Sequence, residues 1–230
     1  NIPVMWNDLI TLIFPEVCIG CNILLAKGED YLCTECRSNL PIIPYNQYET
    51  QLFHQKLLNS YQYDFAYAFL KFYKSGVTQR IMHALKYNNQ PLVAEFMGRL
   101  AANEMRNEVR VKDYNYIIPV PLHPRKKIKR GYNQSDFFAR GLSLSLNISW
   151  SGTLIQRMRN TSTQTKKSRE ERQANVEGVF AVNNPSCLSG GHIILVDDVA
   201  TTGATLDACS NLLYGCGVSK ISVCTIASAQ

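Results

Sequence analysis

Apolar and polar positions follow two different periods along most of the chain. Short, almost continuously apolar runs predict strands at "AYAFLKFY", "YIIPVPL", "TLIQR", "GVFAV", "HIILVDDV" and "KISVCTIA". Between several of these runs, apolar residues recur at helical spacing over residues 77–85, 93–100, 135–146 and 204–214. Short apolar strands that are interleaved with helices favour a parallel α/β sheet with helices on both faces.

Composition is typical of a globular protein with one sizeable core and a small accessory module, since 46% of the 230 residues are hydrophobic. No stretch approaches the roughly 20 apolar residues of a membrane span, so we expect no span and a cytoplasmic location. At the N-terminus, apolar residues at helical spacing predict a short amphipathic helix, and they are Trp6, Leu9, Ile10, Ile13 and Phe14. The formal net charge of +6 fits an anionic ligand or nucleic acid, but also an ordinary surface.

Four of the eight cysteines form two CxxC pairs in "CIGCNILLAKGEDYLCTEC". The pairs are Cys18 with Cys21 and Cys33 with Cys36. Four thiolates at this spacing favour a closed, structural zinc site, with iron as the next candidate. Two disulfides are the alternative, but they require an oxidising compartment that no other feature of the sequence supports.

The pattern divides the chain into three parts. Residues 1–45 hold the N-terminal helix and the cysteine module, and residues 46–62 read as a linker because they show little sustained periodicity. Residues 63–230 contain the alternating strands and helices. We therefore predict a main α/β domain that follows a small metal module.

The stretch "HIILVDDVATTGATL" carries the strongest chemical signal in the main domain. A buried strand ends at Asp197 and Asp198, and a small-residue loop leads into a helix. Backbone N–H groups of such a loop, the threonine hydroxyls and the positive end of the helix together predict a phosphate site. The loop residues are Ala200, Thr201, Thr202, Gly203, Ala204 and Thr205.

The two acids beside this loop would repel a phosphate unless a group with hydroxyls lay between them. A sugar meets that need, because its vicinal hydroxyls donate hydrogen bonds to carboxylates while its phosphate lies in the loop. The pair Asp197 and Asp198 therefore indicates a ribose 5-phosphate. The alternative is that the aspartates only end a strand and Thr205 caps the helix.

"ILVDDVATTGAT" resembles the loop with which type I phosphoribosyltransferases hold phosphoribosyl pyrophosphate (PRPP). The cysteine module, "HALKY", "IIPVPLHPRKKIKRGYNQ" and "RNTSTQTKKSREERQANVEGVF" extend the resemblance to the ComF (GntX-like) family of competence-associated, phosphoribosyltransferase-like proteins. The resemblance implies a type I phosphoribosyltransferase fold behind the four-cysteine zinc module. It also implies that Asp197 and Asp198 are the catalytic acids and that Mg²⁺ accompanies PRPP.

The resemblance further places a pyrophosphate-binding loop at Val120, Pro121 and Leu122, with Arg130 opening the next helix. Arg130 suits this role, because its planar fork can bind phosphate oxygens in a bidentate manner. The neighbouring cations in "PRKKIKR" have a second interpretation as an ordinary solvated face.

A long polar segment from Arg157 to Asn175 separates two predicted strands. By resemblance it is the flexible loop that closes over PRPP, and the matching positions are Thr163, Gln164, Arg169, Arg172 and Asn175. Such a loop is uncommon unless it works at a site. The alternative is an exposed helix around residues 169–173 whose charges face solvent.

Two functions are therefore expected. The first is Mg²⁺-dependent transfer of the phosphoribosyl group to an acceptor that no motif identifies, in a protein associated with DNA uptake. The second is a non-catalytic accessory protein that uses PRPP as a ligand, binds single-stranded DNA and works with other competence proteins.

Overall fold

The computed structural model describes residues 15–45, 48–58, 63–106, 113–158 and 179–228. Its strands are β1 Ala66–Lys71, β2 Tyr116–Pro119, β3 Ile155–Arg157, β4 Phe180–Val182, β5 His192–Ala200 and β6 Lys220–Ser228. Its helices are α1 Thr34–Ser38, α2 Tyr48–Leu58, α3 Val77–Tyr87, α4 Pro91–Met105, α5 Pro124–Arg130, α6 Gln134–Leu146 and α7 Ala204–Gly215, and a short 3₁₀ turn spans Pro185–Cys187. The helix predicted over Trp6–Phe14 lies outside the described residues.

Four strands form a parallel sheet in the order β1-β6-β5-β2. The central strands β5 and β6 are buried along most of their length, which explains their continuous apolar runs. Pro119 of β2 pairs with Val196 of β5, so both strands end side by side. The next amide, of Val120, donates to the Val196 carbonyl at 2.8 Å. The sheet thus places the acidic pair beside the loop that follows β2.

The predicted strands "TLIQR" and "GVFAV" do not join this sheet. They form β3 and β4, which pair antiparallel to each other as a separate ribbon with Arg157 opposite Phe180. The reason lies in their side chains, because Gln156 is exposed and Arg157 is only partly buried. Such strands cannot be covered on both faces as a parallel sheet requires.

Helices α4 and α6 lie in close contact on one face of the sheet. Gly98 of α4 and Gly141 of α6 make this approach possible, because a Cβ on either residue would overlap backbone of the other helix. Glu95 is buried beside them and is paired with Arg99 and Arg140. Helix α6 begins with the residues that contact the acidic pair, so this packing fixes one wall of the site.

Within the segment predicted as a linker, residues 48–58 form α2. Phe53 and Leu57 are buried in the part of the core that also contains Tyr63 and Leu206. The rest of the helix is largely polar and exposed, and two buried residues are too few to produce a clear helical period. Helix α2 brings Leu57 against the start of α7.

The four-cysteine module packs directly on the sheet and its helices. Cys18 and Cys33 belong to the same buried cluster as Tyr67 of β1. The amide of Lys71 donates to the Pro41 carbonyl at 2.9 Å, so the chain after the module runs along the edge of β1. Module and sheet therefore share one core. Among all the described residues, no helix combines the length and apolar character needed to cross a membrane.

Candidate functional site

Two acids at the end of β5 form the centre of the candidate site. Asp197 Oδ1 accepts hydrogen bonds from Ser135 Oγ at 3.0 Å and from the Asp198 amide at 2.8 Å. Asp198 Oδ1 accepts from the Val199 amide at 2.7 Å, and its Oδ2 lies 3.4 Å from Lys86 Nζ. Helices α6 and α3 thus each supply one polar partner to the pair.

The two carboxylates are unequal. Burial raises the pKa of Asp197 to about 7, and the charge of Asp198 raises it further, against the opposing effect of the Asp198 amide, Ser135 and Lys86. Asp198 instead has its ion pair with Lys86. At neutral pH the pair therefore carries a proton for part of the time, and donors that favour ionised Asp197 will displace it.

The loop after Asp197 and Asp198 surrounds a small open pocket. The pocket encloses about 210 Å³ and is lined by Asp197, by Val199 and by residues 200–206. All six residues predicted for phosphate binding line it together with one of the two acids, while the other acid turns to Lys86. The first amides of α7 have no intrahelical acceptors, which makes this pocket suitable for an anion.

Gly203 gives the loop its shape. Its φ of +80° lies in the left-handed region, and it directly precedes α7. A Cβ there would approach Leu57 Cδ2 to 2.8 Å, so α2 supports the loop from behind. In the first turn of α7, Asp207 Oδ1 accepts a hydrogen bond from the buried Tyr63 hydroxyl at 3.0 Å. These contacts hold the loop in an open, concave form.

The predicted pyrophosphate loop lies beside the acids. Val120 is buried, Pro121 and Leu122 are partly exposed, and Asn133 Nδ2 donates to the Val120 carbonyl at 2.9 Å. Arg130 Nη1 donates to Gln134 Oε1 at 3.1 Å at the junction of α5 and α6. The remaining cations of α5 are all exposed, and they are Arg125, Lys126, Lys127 and Lys129.

Sequence reasoning missed Lys86 and Ser135 as functional residues. "HALKY" was noted for its resemblance without a role for its lysine, and Ser135 was noted only at the start of a helix. Ser135 is 62 positions from Asp197 in the chain, so only the fold brings them together. The flexible-loop positions lie outside the described residues, and they are Thr163, Gln164, Arg169, Arg172 and Asn175.

The four cysteines of the N-terminal module converge on one point. Their Sγ atoms all lie within 4.8 Å of one another, and the residues are Cys18, Cys21, Cys33 and Cys36. All four are free thiols, so the predicted disulfide alternative is not what the structure contains. This cluster could bind a metal ion.

Backbone amides prepare the first sulfur of this cluster for a metal. Cys18 Sγ accepts hydrogen bonds from the amides of Gly20 at 3.3 Å and Cys33 at 3.2 Å. Although burial opposes ionisation, these amides lower the pKa of Cys18 to about 7. Gly20 is required for this knuckle, because a Cβ there would lie 2.6 Å from Cys36 Sγ.

Comparison with known proteins gives matches of two kinds. A family model described as a phosphoribosyl transferase domain matches residues 134–230, which include the acids and the phosphate loop. Competence protein F of Haemophilus influenzae is 29% identical over 222 residues, covering 92% of this chain and 96% of that protein.

Two further relatives match over shorter spans. DNA utilization protein YhgH of Escherichia coli O157:H7 is 34% identical over 146 residues, covering 62% of this chain and 63% of that protein. Competence protein ComFC of Bacillus subtilis is 37% identical over 90 residues, covering 39% of this chain and 34% of that protein. The chain therefore matches less than two thirds of these two relatives.

Proposed function

This chain belongs to the ComF family of type I phosphoribosyltransferase-like proteins and has their fold, and from that premise we propose that it binds PRPP with Mg²⁺ and transfers the phosphoribosyl group. Since two relatives are named as competence proteins and another as a DNA utilization protein, we also propose a role in DNA uptake. We expect the protein to work in the cytoplasm, where its free cysteines would stay reduced.

One observation carries the proposal. Asp197 and the loop of residues 200–205 line the same pocket. A 5-phosphate bound by the loop amides would leave the sugar hydroxyls next to the carboxylates, which accept hydrogen bonds from them. A pocket for phosphate alone would have no use for two acids at its edge.

In this proposal the chain positions the ligand and stabilises charge. The amides at the start of α7 bind the 5-phosphate, and Asp197 and Asp198 bind the ribose hydroxyls as positive charge develops on the ring. Residues 120–122 and Arg130 bind the leaving pyrophosphate. Carboxylate and phosphate oxygens are the ligands that Mg²⁺ prefers, and the ion would neutralise pyrophosphate charge when bound with PRPP. No nucleophilic side chain is needed.

Calorimetry with PRPP and Mg²⁺ tests this function. The double variant Asp197→Asn/Asp198→Asn should lose binding, because amides offer fewer acceptors and no charge to the hydroxyls. Glu104→Gln removes an acid from the exposed face of α4 and should bind as the wild type does. Equal PRPP affinity in the double variant and the wild type would disprove the assignment of the acids.

We also propose that the four-cysteine cluster binds structural zinc. Four thiolates leave no open position for water, and the shared core explains why the metal would stabilise the whole chain. Metal analysis after mild purification should find about one equivalent of zinc. Cys36→Ser should lose it, whereas Cys187→Ser, at an exposed cysteine outside the cluster, should not. Less than about half an equivalent in the wild type would contradict a stoichiometric site.

A second function, single-stranded DNA binding, is favoured by α5. Its exposed cations form a basic surface next to the candidate site, with the apolar side chain of Ile128 78% exposed among them. Binding through phosphates releases counterions, so affinity for a labelled oligonucleotide should fall steeply with salt. Lys126→Gln/Lys129→Gln should reduce the slope of log K against log salt by about 1. DNA affinity that is unmeasurable even at low salt would exclude this function.

A further inference from the structure

Arg157 is a cation that the proposed function leaves without a role. It is the last residue of β3, where it pairs in register with Phe180 of β4. Its guanidinium Cζ lies 5.2 Å from the centroid of the Phe180 ring, so the aromatic face holds the planar group in place. The Met158 amide donates to the Val179 carbonyl at 2.8 Å, which continues the ribbon past Arg157. The side chain is therefore fixed before any ligand arrives.

This guanidinium has no ion-pair partner among the described residues. It is partly buried, and burial lowers its pKa while the charge of Asp197 acts in the opposite direction. The arginines of the α4–α6 interface are different, since Arg99 and Arg140 both bind Glu95. A cation that is withdrawn from water without a paired acid is costly, and it is retained where a ligand supplies the anion.

The charge of Arg157 acts on the walls of the candidate site. At His123, next to the loop of residues 120–122, burial lowers the imidazole pKa, and Arg157 lowers it more than Arg125 or Lys126 does. Arg157 also interacts electrostatically with Asp197 and with Cys209 of α7. These interactions place the guanidinium on the side of the site where the proposed pyrophosphate loop meets β5.

We propose that Arg157 binds the pyrophosphate end of PRPP, with its guanidinium held against Phe180 and directed to the loop of residues 120–122. This inference rests on the proposed function and adds a binding residue to it. A guanidinium donates two parallel hydrogen bonds to phosphate oxygens, and its orientation here costs no further ordering on binding. The family match begins at residue 134, and neither it nor the resemblance assigns Arg157.

The test uses three probes on the full chain: PRPP, inorganic pyrophosphate and ribose 5-phosphate, each with Mg²⁺. Arg157→Gln should weaken PRPP and pyrophosphate binding by about 10- to 100-fold, the usual range for losing a charge-assisted bidentate contact. Ribose 5-phosphate should change less than about twofold, since it lacks the group that Arg157 contacts. Arg106→Gln, on the exposed end of α4, is the matched control and should bind all three probes normally.

The outcomes separate this inference from the function beneath it. Unchanged pyrophosphate affinity in Arg157→Gln, with normal wild-type binding, overturns the role of Arg157 and leaves the function intact. A wild type that binds none of the probes overturns the proposed function. Arg157→Lys keeps the charge without the fork and should lose about 3- to 10-fold in pyrophosphate affinity. If Arg157→Gln does not fold, this variant decides, and unchanged affinity in it counts against the proposal.

Discussion

Replacement of Asp197 by asparagine should stabilise the ligand-free protein while it weakens PRPP binding. Ser135 Oγ and the Asp198 amide both donate to Asp197 Oδ1, and an asparagine Oδ1 accepts the same two hydrogen bonds. What the substitution removes is the cost of a second negative charge next to Asp198 in a poorly solvated position. Function and stability should therefore respond in opposite directions.

The size of the effect follows from the pKa of Asp197, which rises from an ordinary value of 3.8 to about 7 in the folded protein. A raised carboxyl pKa means that the folded state holds the proton more tightly than the unfolded chain does. Its stabilisation is complete below about pH 4 and is lost as the pH rises to about 7. At about 1.4 kcal/mol per unit, the shift amounts to about 4 kcal/mol, of which about 2–3 kcal/mol falls between about pH 5 and pH 8.

Urea unfolding at several pH values between about pH 5 and pH 8 measures this window. The free energy of unfolding of Asp197→Asn, relative to wild type, should rise by about 2–3 kcal/mol across it. Glu104→Gln removes an exposed charge and should show a difference that is nearly flat with pH. A flat difference for Asp197→Asn as well, within about 0.5 kcal/mol, would refute the conclusion that burial and Asp198 raise this pKa.

Three other predictions concern the surroundings of the site. Lys86→Met should move the same stability window to higher pH, because Lys86 lowers the pKa of Asp197, and an unmoved window in the urea series would contradict this. Gly141→Ala should destabilise by about 2–4 kcal/mol in urea unfolding because its Cβ overlaps backbone of α4, whereas Gly215→Ala, whose Cβ meets nothing within 4 Å, should change stability by less than about 0.5 kcal/mol. Removal of metal by a chelator should lower the melting temperature in one cooperative transition, because Cys18 belongs to the main core, and two separate transitions would argue against a shared core.

The central sheet could be predicted because its signal is local. The apolar run at 192–199 became β5 His192–Ala200, and the periodic segment at 204–214 became α7 Ala204–Gly215. Each of these elements is buried along a full strand or a helical face, so its own pattern identifies it. Helix α2 has a different origin, since only Phe53 and Leu57 are buried and its place depends on the core they enter. Its polar residues carry no comparable period.

The candidate site divides along the same line. Asp197, Asp198 and the phosphate loop are contiguous in the chain, so their types and order were enough to predict a common pocket. Lys86 and Ser135 come from α3 and α6, and their contacts with the acids depend on how those helices cross the sheet. The predicted pyrophosphate loop is intermediate, because strand pairing of Pro119 with Val196 gives its position, but Asn133 gives its shape.

The acids are also the place where the fold is least consistent with its own stability. Ser135 and two backbone amides satisfy some of their oxygens, and Lys86 pairs with Asp198 only at 3.4 Å, so the repulsion within the pair is reduced but not removed. A ligand that brings hydroxyl donors to Asp197 would stabilise its ionised form, lower its pKa and complete what the protein leaves unfinished. Such a mismatch between local stability and residue choice is typical of a binding site. The cost at Asp197 therefore supports a sugar in the pocket more strongly than the shape of the phosphate loop does, because the loop alone would serve any phosphate.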